Sequence, residues 1–394
     1  MTGQYPARLH LTDWIAGDEV PNAKLRIPDW TKRLPLEQET LAERLRQVGY
    51  ETVHLGKWHL GEADYFPAKQ GFDASIGGSL GGQPASYFFP YHKRPNDRFA
   101  VDLPGGMKGE YLTDRLTDEA IRVLKKPRDK PLFMYLAHYT VHTPLEPRPD
   151  LVAKYKELVK PGMKHTNAVY AAMVESLDQS VSRILDAIEQ LEIVENTIVI
   201  FTSDNGGLSS VTNNAPLRGG KGSPYEGGVR VPLLFSGGQK YVQYGGGFIT
   251  TPVITQDLFA TICEWAGATI DKTSPAAKDS ISLAGWINDT AVPTSDRPLF
   301  WHYPHYHTGG ATPYGAVRLG DWKLIEFYED DRVELYNLKD DVGEQHDLAV
   351  DMPEKAKELR DRLHAWRKEV GAQMPTLNPD FKPTKNEKQD RASS

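Results

Sequence analysis

The run Thr197-Ile-Val-Ile-Phe-Thr202 decides the fold class, because it is almost wholly apolar and follows at once on an amphipathic helical pattern from about residue 167 to 191. A second run of this kind, Pro131-Leu-Phe-Met-Tyr-Leu-Ala137, stands earlier in the chain. Short apolar runs are typical of strands buried on both faces of a largely parallel sheet. We therefore expect an α/β domain in which helices cover a mostly parallel central sheet.

Two further segments fit this architecture. Val229-Arg-Val-Pro-Leu-Leu-Phe235 predicts a third strand, and Pro232 places it towards an edge, since proline lacks the amide hydrogen of a sheet ladder. Residues 36–48 predict a helix that ends at Gly49, a residue well suited to the position after a helix.

The C-terminal part of the chain has a different character. Residues 316–328 and 332–338 predict antiparallel strands joined by an acidic turn, and residues 353–370 predict an amphipathic helix. We expect a catalytic domain at residues 1–300, a small antiparallel-sheet-plus-helix subdomain at 301–375 and a disordered tail at 376–394.

Composition excludes several classes of protein. The chain has 394 residues, with 46 basic and 53 acidic side chains and a net charge of −7, so it has no basic footprint for nucleic acid. No apolar run reaches the roughly 18 residues that a membrane span needs. The lone Cys263 has no partner for an internal disulfide. A soluble globular protein of a single domain is the remaining expectation.

Polar clusters follow several predicted strands, where open α/β sheets place their sites. Lys57 and His59 stand two apart between glycines, a pattern that suits an anionic group but also describes a solvated turn. His138 and His142 follow the strand at 131–137, and a capped loop residue is the alternative explanation for one of them. Lys221 lies in a glycine-dense segment that suits close approach to an anion, with a flexible linker as the alternative.

Asp204 and Asn205 directly follow the strand that ends at Thr202. Their side-chain oxygens are hard ligands of the kind that Ca²⁺ and Mg²⁺ prefer. An Asx-turn at the end of a strand is the commoner explanation of an Asp-Asn-Gly sequence in general. The residues alone leave both interpretations open.

In combination and in this order, these segments resemble the sulfatase family of the alkaline-phosphatase superfamily. The resemblance extends to about residue 370. The segments that carry it are Gly56-Lys57-Trp58-His59-Leu60-Gly61, Ser203-Asp204-Asn205-Gly206, Gly220-Lys221-Gly222, Tyr225-Glu226-Gly227-Gly228-Val229-Arg230, Leu258-Phe259-Ala260-Thr261-Ile262, Gly320-Asp321-Trp322-Lys323-Leu324 and Glu344-Gln345-His346-Asp347-Leu348-Ala349. It implies an alkaline-phosphatase-like fold and an enzyme that hydrolyses sulfate esters.

The resemblance also implies roles for single residues. Asp204 and Asn205 would be two ligands of a Ca²⁺ ion, with Mg²⁺ as the alternative metal. Lys57 and Lys221 would neutralise the sulfate oxygens and the charge that develops on them.

Two histidines are implied to move protons. His59 would orient or deprotonate the nucleophile, and His142 would protonate the departing alcohol oxygen. His138 matches the family less well, and a structural role is expected for it.

The family's nucleophile is a formylglycine, made from the first residue of a Cys/Ser-x-Pro/Ala-x-Arg motif, and no such motif occurs in the 394 residues. Cys263 lies in a helical pattern and is expected in the core. Residues 1–8 resemble the segment a few residues C-terminal to this motif in sulfatases. We therefore expect a sulfatase without its N-terminal segment, inactive as it stands. Its parent would be periplasmic or extracellular, whereas this chain has no signal peptide.

The substrate is less closely defined by the sequence. Residues 301–307 cluster aromatic and histidine side chains, and His305 or His307 would contact sulfate or hydroxyl groups, although a buried aromatic hinge explains the cluster equally well. Arg94 is a further candidate contact, with a solvated charge run as the alternative. A sulfated carbohydrate is favoured over a small aryl or steroid sulfate.

Two other functions stay open. A phosphodiesterase or phosphonate monoester hydrolase of the same superfamily would use a similar site, but the Gly-Lys-Trp-His-Leu-Gly run favours a sulfatase. A non-catalytic pseudo-sulfatase would keep the fold to bind sulfated glycans.

Overall fold

The computed structural model describes residues 1–243, 246–294 and 297–383, which fall into two compact units. The core unit comprises Met1–Tyr5, Arg33–Asn213 and Val231–Thr294. The terminal unit comprises Pro6–Lys32, Asn214–Arg230 and the described residues from 297 onward. These units differ from the predicted linear domains, because two earlier segments of the chain pack with the C-terminal sheet rather than with their sequence neighbours.

The strands are short, as expected for an α/β protein. They are β1 (Leu25–Arg26), β2 (Glu51–Gly56), β3 (Ala74–Ile76), β4 (Leu132–Ala137), β5 (Ile198–Thr202), β6 (Leu233–Gly237), β7 (Leu299–Tyr303), β8 (Tyr314–Leu319), β9 (Trp322–Phe327), β10 (Val333–Asn337) and β11 (Thr376–Leu377).

Most helices are also short, and two of them are long. The helices are α1 (Pro6–Leu9), α2 (Leu41–Gln47), α3 (Leu112–Lys125), α4 (Pro149–Leu158), α5 (Ala168–Gln190), α6 (Glu226–Val229), α7 (Asp257–Trp265), α8 (Pro275–Asp279), α9 (Ala284–Ile287) and α10 (Pro353–Val370). Single 3₁₀ turns lie at Ala63–Tyr65, Pro67–Lys69 and Val194–Asn196. No helix of the described residues is long and apolar enough to cross a membrane.

The core unit contains the predicted parallel sheet, in the order β3-β2-β4. Strands β5 and β6 form a separate antiparallel pair. Both apolar runs of the sequence are strands, as predicted. They are less buried than predicted: Tyr135 on β4 is 39% exposed, and no residue of β5 is fully buried. The reason is that β4 pairs only with β2, and β5 only with β6, within the described part of the chain.

The predicted helices of the core unit form, but α2 begins at Leu41, five residues later than predicted, because Thr40 caps it. Thr40 caps α2 in a capping box with Glu43, which satisfies two backbone amides at the start of the helix. The side chain of Asn167 accepts a hydrogen bond from the Tyr170 amide and so starts α5. Met173 on α5 is fully buried, in keeping with the amphipathic pattern predicted for this helix.

The predicted strand at residues 229–235 is wrong at its start. The chain forms the short helix α6 up to Val229, and strand β6 begins only at Leu233. The buried Glu226 side chain at the first position of α6 holds the segment in a turn of helix. Pro232 lies just before β6 and so costs the ladder no hydrogen bond.

The terminal unit contains a four-stranded antiparallel sheet in the order β10-β9-β8-β7. The sequence predicted one strand over residues 316–328, but a tight turn between Leu319 and Trp322 divides this segment into β8 and β9. Helix α10 has the predicted bounds and buries Leu359 and Leu363 completely.

The predicted disordered tail is corrected in its first part. Strand β11 at Thr376–Leu377 pairs with β1, within the terminal unit. Residues 384–394 of the predicted tail lie outside the described residues.

Candidate active site

The structure brings two of the predicted site residues together in the core unit. Lys57 directly follows β2 and Asp204 follows β5, and the Lys57 ammonium Nζ lies 3.6 Å from the Asp204 carboxylate Oδ2. The Asp204 side chain is 70% exposed, whereas that of Lys57 is mostly covered. A held cation therefore lies beside an accessible carboxylate at the ends of two strands.

The backbone of Lys57 is fixed on both sides. Its amide donates a hydrogen bond to the Ala137 carbonyl at 2.8 Å, and its own carbonyl lies 3.1 Å from Nε2 of His54. Gly56 approaches Ala137 so closely that a Cβ atom on Gly56 would lie 2.1 Å from the carbonyl oxygen, and its φ is +89°. Only glycine fits this position without strain.

His54 was missed as a functional residue, although it is a histidine in the middle of a buried apolar strand. Since a carbonyl only accepts, His54 donates Nε2–H to Lys57, and its Nδ1 accepts from the Ser75 hydroxyl at 3.3 Å. The ring is fully buried beside Trp58 and Phe72. Burial lowers the pKa of His54 to about 4, so the ring is neutral around pH 7.

His59 has a strained backbone. Its φ of +51° places a non-glycine residue in the left-handed region, and its half-buried ring packs on Gly82. Such conformations persist where the surroundings enforce them and often occur at functional sites. The structure thus gives His59 a fixed orientation.

His142 is held by a buried tyrosine. The Tyr87 hydroxyl lies within hydrogen-bond distance of the carbonyls of Tyr139 and His142, at 2.7 and 2.9 Å. Nδ1 of His142 lies 2.9 Å from the Thr143 carbonyl, which assigns the proton to Nδ1 in the neutral ring. Nε2 is then the nitrogen suited to exchanging a proton with a substrate.

His138 has the structural surroundings predicted for it. Its Nε2 lies 3.1 Å from the Ser180 hydroxyl on α5, and Nδ1 is buried without a partner in the described residues. Burial lowers the pKa of His138 to about 4, so it is a neutral side chain that ties β4 to α5.

Asp204 and Asn205 present oxygen donors of the kind that a divalent cation takes. The Asn205 amide Nδ2 donates to the Gly206 carbonyl at 2.9 Å, so its Oδ1 stays available as a ligand. Calcium takes about six to eight oxygen ligands, of which these residues supply a part. Within the described ranges, no group of three or more His, Cys, Asp or Glu side chains is arranged to hold a metal. The donors fit the metal in type but form an incomplete set.

Lys221 and His307 adjoin each other in the terminal unit. A Cβ on Gly222 would lie 2.5 Å from Nδ1 of His307, so the ring rests directly on the residue after Lys221, where φ is +88°. Nδ1 accepts the Gly309 amide at 2.9 Å, which leaves the proton of the neutral ring on Nε2. Burial and the Lys221 charge lower the pKa of His307, and Asp18 opposes this shift.

His305 and Arg94, the other predicted substrate contacts, differ in accessibility. His305 is fully buried, and its Nε2 lies 2.8 Å from the Thr12 hydroxyl. This burial argues against direct contact between His305 and a substrate and favours the buried aromatic cluster. Arg94 is exposed on a loop of the core unit.

Comparison with known proteins gives a consistent result. The sulfatase family profile matches residues 1–268, and the profile of the N-sulphoglucosamine sulphohydrolase C-terminal region matches residues 221–370. A sulfatase of Formosa agariphila is 39% identical over 281 residues, which are 65% of this chain and 50% of that protein. N-acetylgalactosamine-6-sulfatase of Canis lupus familiaris is 30% identical over 319 residues, 74% of this chain and 54% of that enzyme.

A solved structure covers the whole chain. The crystal structure of Ps i-CgsB in complex with k-i-k-neocarrahexaose superposes with a TM-score of 0.77 at 26% identity, covering 100% of this chain and 84% of that one. By contrast, the chain spans about half the length of the Formosa sulfatase and of the canine enzyme.

Proposed function

The chain belongs to the sulfatase family, and on that premise we propose that the protein hydrolyses sulfate esters of carbohydrates. The observation that carries this proposal is the contact between Lys57 and Asp204 at 3.6 Å, within the region that the family profile matches. A cation suited to the sulfate and an oxygen ligand suited to a metal thus stand side by side, which supports the binding of a sulfate ester next to a metal ion.

Lys57 and Lys221 are proposed to bind the sulfate group. Each ammonium group neutralises anionic oxygens in the ground state. Each also stabilises the charge that grows on the bridging oxygen as the S–O bond breaks. Preorganised charges of this kind are often the largest contribution to catalysis. The fixed backbone of Lys57 and the contact of its ammonium group with Asp204 support the proposal, because they limit the positions that the cation can take.

His142 and His59 are proposed to transfer protons. Protonated His142 would donate from Nε2 to the departing alcohol oxygen, while Nδ1–H stays bound to the Thr143 carbonyl. A sugar alkoxide is a poor leaving group, so this proton is needed more for a sugar sulfate than for an aryl sulfate. His59 would orient or deprotonate the nucleophile from its fixed left-handed conformation.

Asp204 and Asn205 are proposed to hold Ca²⁺ as two members of a larger ligand set. A bound divalent cation would polarise the sulfate oxygens as a Lewis acid. The chain's own contribution is to hold both donors at the end of β5, beside the Lys57 ammonium. Magnesium is the less suited ion, because it demands a stricter octahedral geometry.

The nucleophile is proposed to be the formylglycine of the family. The 394 residues contain no Cys/Ser-x-Pro/Ala-x-Arg motif from which it is made. We therefore propose that these 394 residues by themselves bind sulfate esters without cleaving them.

A sulfated carbohydrate is proposed as the substrate, with Arg94 and His307 as contacts outside the sulfate group. The likeness to N-acetylgalactosamine-6-sulfatase and to a protein crystallised with a neocarrahexaose supports this class. Polymeric substrates do not cross membranes unaided, so we propose a periplasmic or extracellular location.

Sulfate release measured by ion chromatography tests the proposal. The protein purified as its source makes it is expected to release sulfate from galactose 6-sulfate or a sulfated galactan, and the variant Lys57→Met is expected to lose this activity. Cleavage of bis(4-nitrophenyl) phosphate without any sulfate release would instead support the phosphodiesterase alternative. Binding of sulfated sugar without turnover by the natural protein would support a pseudo-sulfatase.

A further inference from the structure

Three charged side chains of the terminal unit are almost completely buried together. Lys323 and Glu344 are 0% exposed and Glu226 is 1% exposed. The Lys323 ammonium lies 2.9 Å from a carboxylate oxygen of each glutamate. The second oxygen of Glu344 accepts the Glu226 backbone amide at 2.7 Å. Buried charges are costly unless they are paired in this way.

The cluster joins the C-terminal sheet to the segment that carries Lys221, which we call the Lys221 loop (residues 218–230). Lys323 lies on the inner strand β9, and Glu226 begins helix α6 within the Lys221 loop. Arg318 on β8 also contacts the Glu226 carboxylate, at 3.3 Å. The end of the Lys221 loop is thus held by two cations of the sheet.

A row of paired residues across the sheet, which we call the rung, also holds the start of the Lys221 loop. Arg318, Lys323 and Tyr336 are paired in register across β8, β9 and β10, so their side chains share one face. The Arg218 guanidinium donates to the Tyr336 hydroxyl at 2.8 Å and lies 3.8 Å from the centre of the Tyr225 ring.

The loop is also closed at its base. The Gly227 amide donates to the Arg218 carbonyl at 2.8 Å, so the two held ends are joined to each other. Lys221 therefore lies on a short loop whose two ends are fixed to a single rung. If the loop undocked, Lys323 and Glu344 would lose Glu226 while buried, so the loop is expected to dock in an all-or-none manner.

We propose that Lys323, together with Arg318 and Tyr336, positions Lys221 by clamping both ends of the Lys221 loop. This inference rests on the proposed role of Lys221 in binding sulfate. It assigns a purpose to the Gly320-Asp-Trp-Lys323-Leu segment, which carries the family resemblance but lies outside the proposed chemistry. Lys323 is a positioning residue and touches no substrate.

Limited trypsin digestion of the 394-residue chain tests the clamp without any activity measurement. Trypsin cuts after Arg218, Lys221 and Arg230 in the loop, and after Arg318 within β8. The variant Lys323→Met leaves two buried carboxylates unbalanced and risks global unfolding, so the pair K323M/E344Q is the main test. It removes one positive and one negative charge, and the amide oxygen of the new side chain at position 344 still accepts the Glu226 amide.

We expect K323M/E344Q to be cleaved in the loop at least 10-fold faster than wild type, with unchanged cleavage after Arg318 and unchanged circular dichroism. The matched control K357M/D361N removes an exposed Lys–carboxylate pair on α10 and is expected to behave as wild type. Unchanged loop cleavage would overturn the proposal. A joint rise at Arg318 would also overturn it, since the cluster would then hold the sheet rather than the loop.

A double-mutant cycle with inorganic sulfate tests the connection to Lys221. K323M/E344Q is expected to weaken sulfate binding at least fivefold in calorimetry, but to have no further effect in a Lys221→Met background. Equal effects in both backgrounds would show that the clamp does not act through Lys221. If wild type binds no sulfate while loop cleavage responds as expected, the clamp stands and the proposed function fails.

Discussion

The Lys57 ammonium lies 3.6 Å from the Asp204 carboxylate, so the candidate sulfate-binding cation and the candidate metal ligand are ion-paired to each other. The two residues come from the ends of different strands, β2 and β5. A divalent cation at Asp204 would be repelled by Lys57, whereas a sulfate anion would be attracted to it. The two ligands therefore respond in opposite ways to the loss of the lysine charge.

Lys57→Met is expected to strengthen Ca²⁺ binding and to weaken sulfate binding. Two unit charges about 4 Å apart interact by about 1 kcal/mol in water, so the interaction of the lysine with a divalent ion at a comparable distance is about 2 kcal/mol, or about 30-fold in affinity. Asp204→Asn is expected to weaken Ca²⁺ binding instead. Calorimetric titrations with CaCl₂ and Na₂SO₄ measure both effects. Lys154→Met, which removes a surface ion pair of the same unit, is the control. Weaker Ca²⁺ binding by K57M would contradict this account.

The meeting of Lys57 and Asp204 was predictable in outline. Polar residues after strands occupy the positions where α/β folds place their sites, and Lys57 and Asp204 each follow a strand. The sequence also contained the periodicity that placed helices α5 and α10 within a residue or two of their bounds. These features depend on local patterns that a single sequence displays.

Features that depend on tertiary partners were not predictable. His305 looked like a sugar contact, but its aromatic neighbours bury it, and Thr12 from the start of the chain takes its Nε2. The strand pattern before Pro232 gave way to helix α6, because Glu226 finds its partner Lys323 far along the chain. No sequence motif marked His54 as functional, because its role depends on a hydrogen bond to the Lys57 carbonyl that only the folded chain shows.

His142→Ala is expected to slow the hydrolysis of sugar sulfates far more than that of 4-nitrophenyl sulfate. A general acid contributes typically about 10²–10⁴-fold, and 4-nitrophenolate departs without a proton whereas a sugar alkoxide does not. The measurement is kcat/KM for both esters with the natural protein, compared with wild type. His138→Ala, which alters a neutral histidine on the same segment, is the control. An equal loss on both esters would exclude His142 as the acid.

His307→Ala is expected to weaken the binding of galactose 6-sulfate but not that of inorganic sulfate. In the neutral ring Nδ1 accepts the Gly309 amide, so Nε2–H is the group that the proposed function assigns to a sugar oxygen rather than to the sulfate. Calorimetry with both ligands measures the effect. A parallel loss of inorganic sulfate binding would place His307 at the sulfate instead.

His54→Phe is expected to reduce the acid sensitivity of the fold. Burial lowers the pKa of His54 from 6.5 to about 4, so between these values the unfolded chain binds more protons than the folded one. Stability therefore falls as pH drops through this window, by up to about 3 kcal/mol at pH 4 for this group. Replacing the imidazole should remove this loss of stability at low pH. The lost hydrogen bonds should also lower the free energy of unfolding at pH 7 by about 1–3 kcal/mol. Urea unfolding at several pH values between about 4.5 and 7.5 measures how steeply the free energy of unfolding depends on pH. His346→Phe, at an exposed position, is the control. If the free energy of unfolding of H54F depended on pH as steeply as that of wild type, His54 would not be the neutral hydrogen-bond donor to the Lys57 carbonyl that the structure indicates.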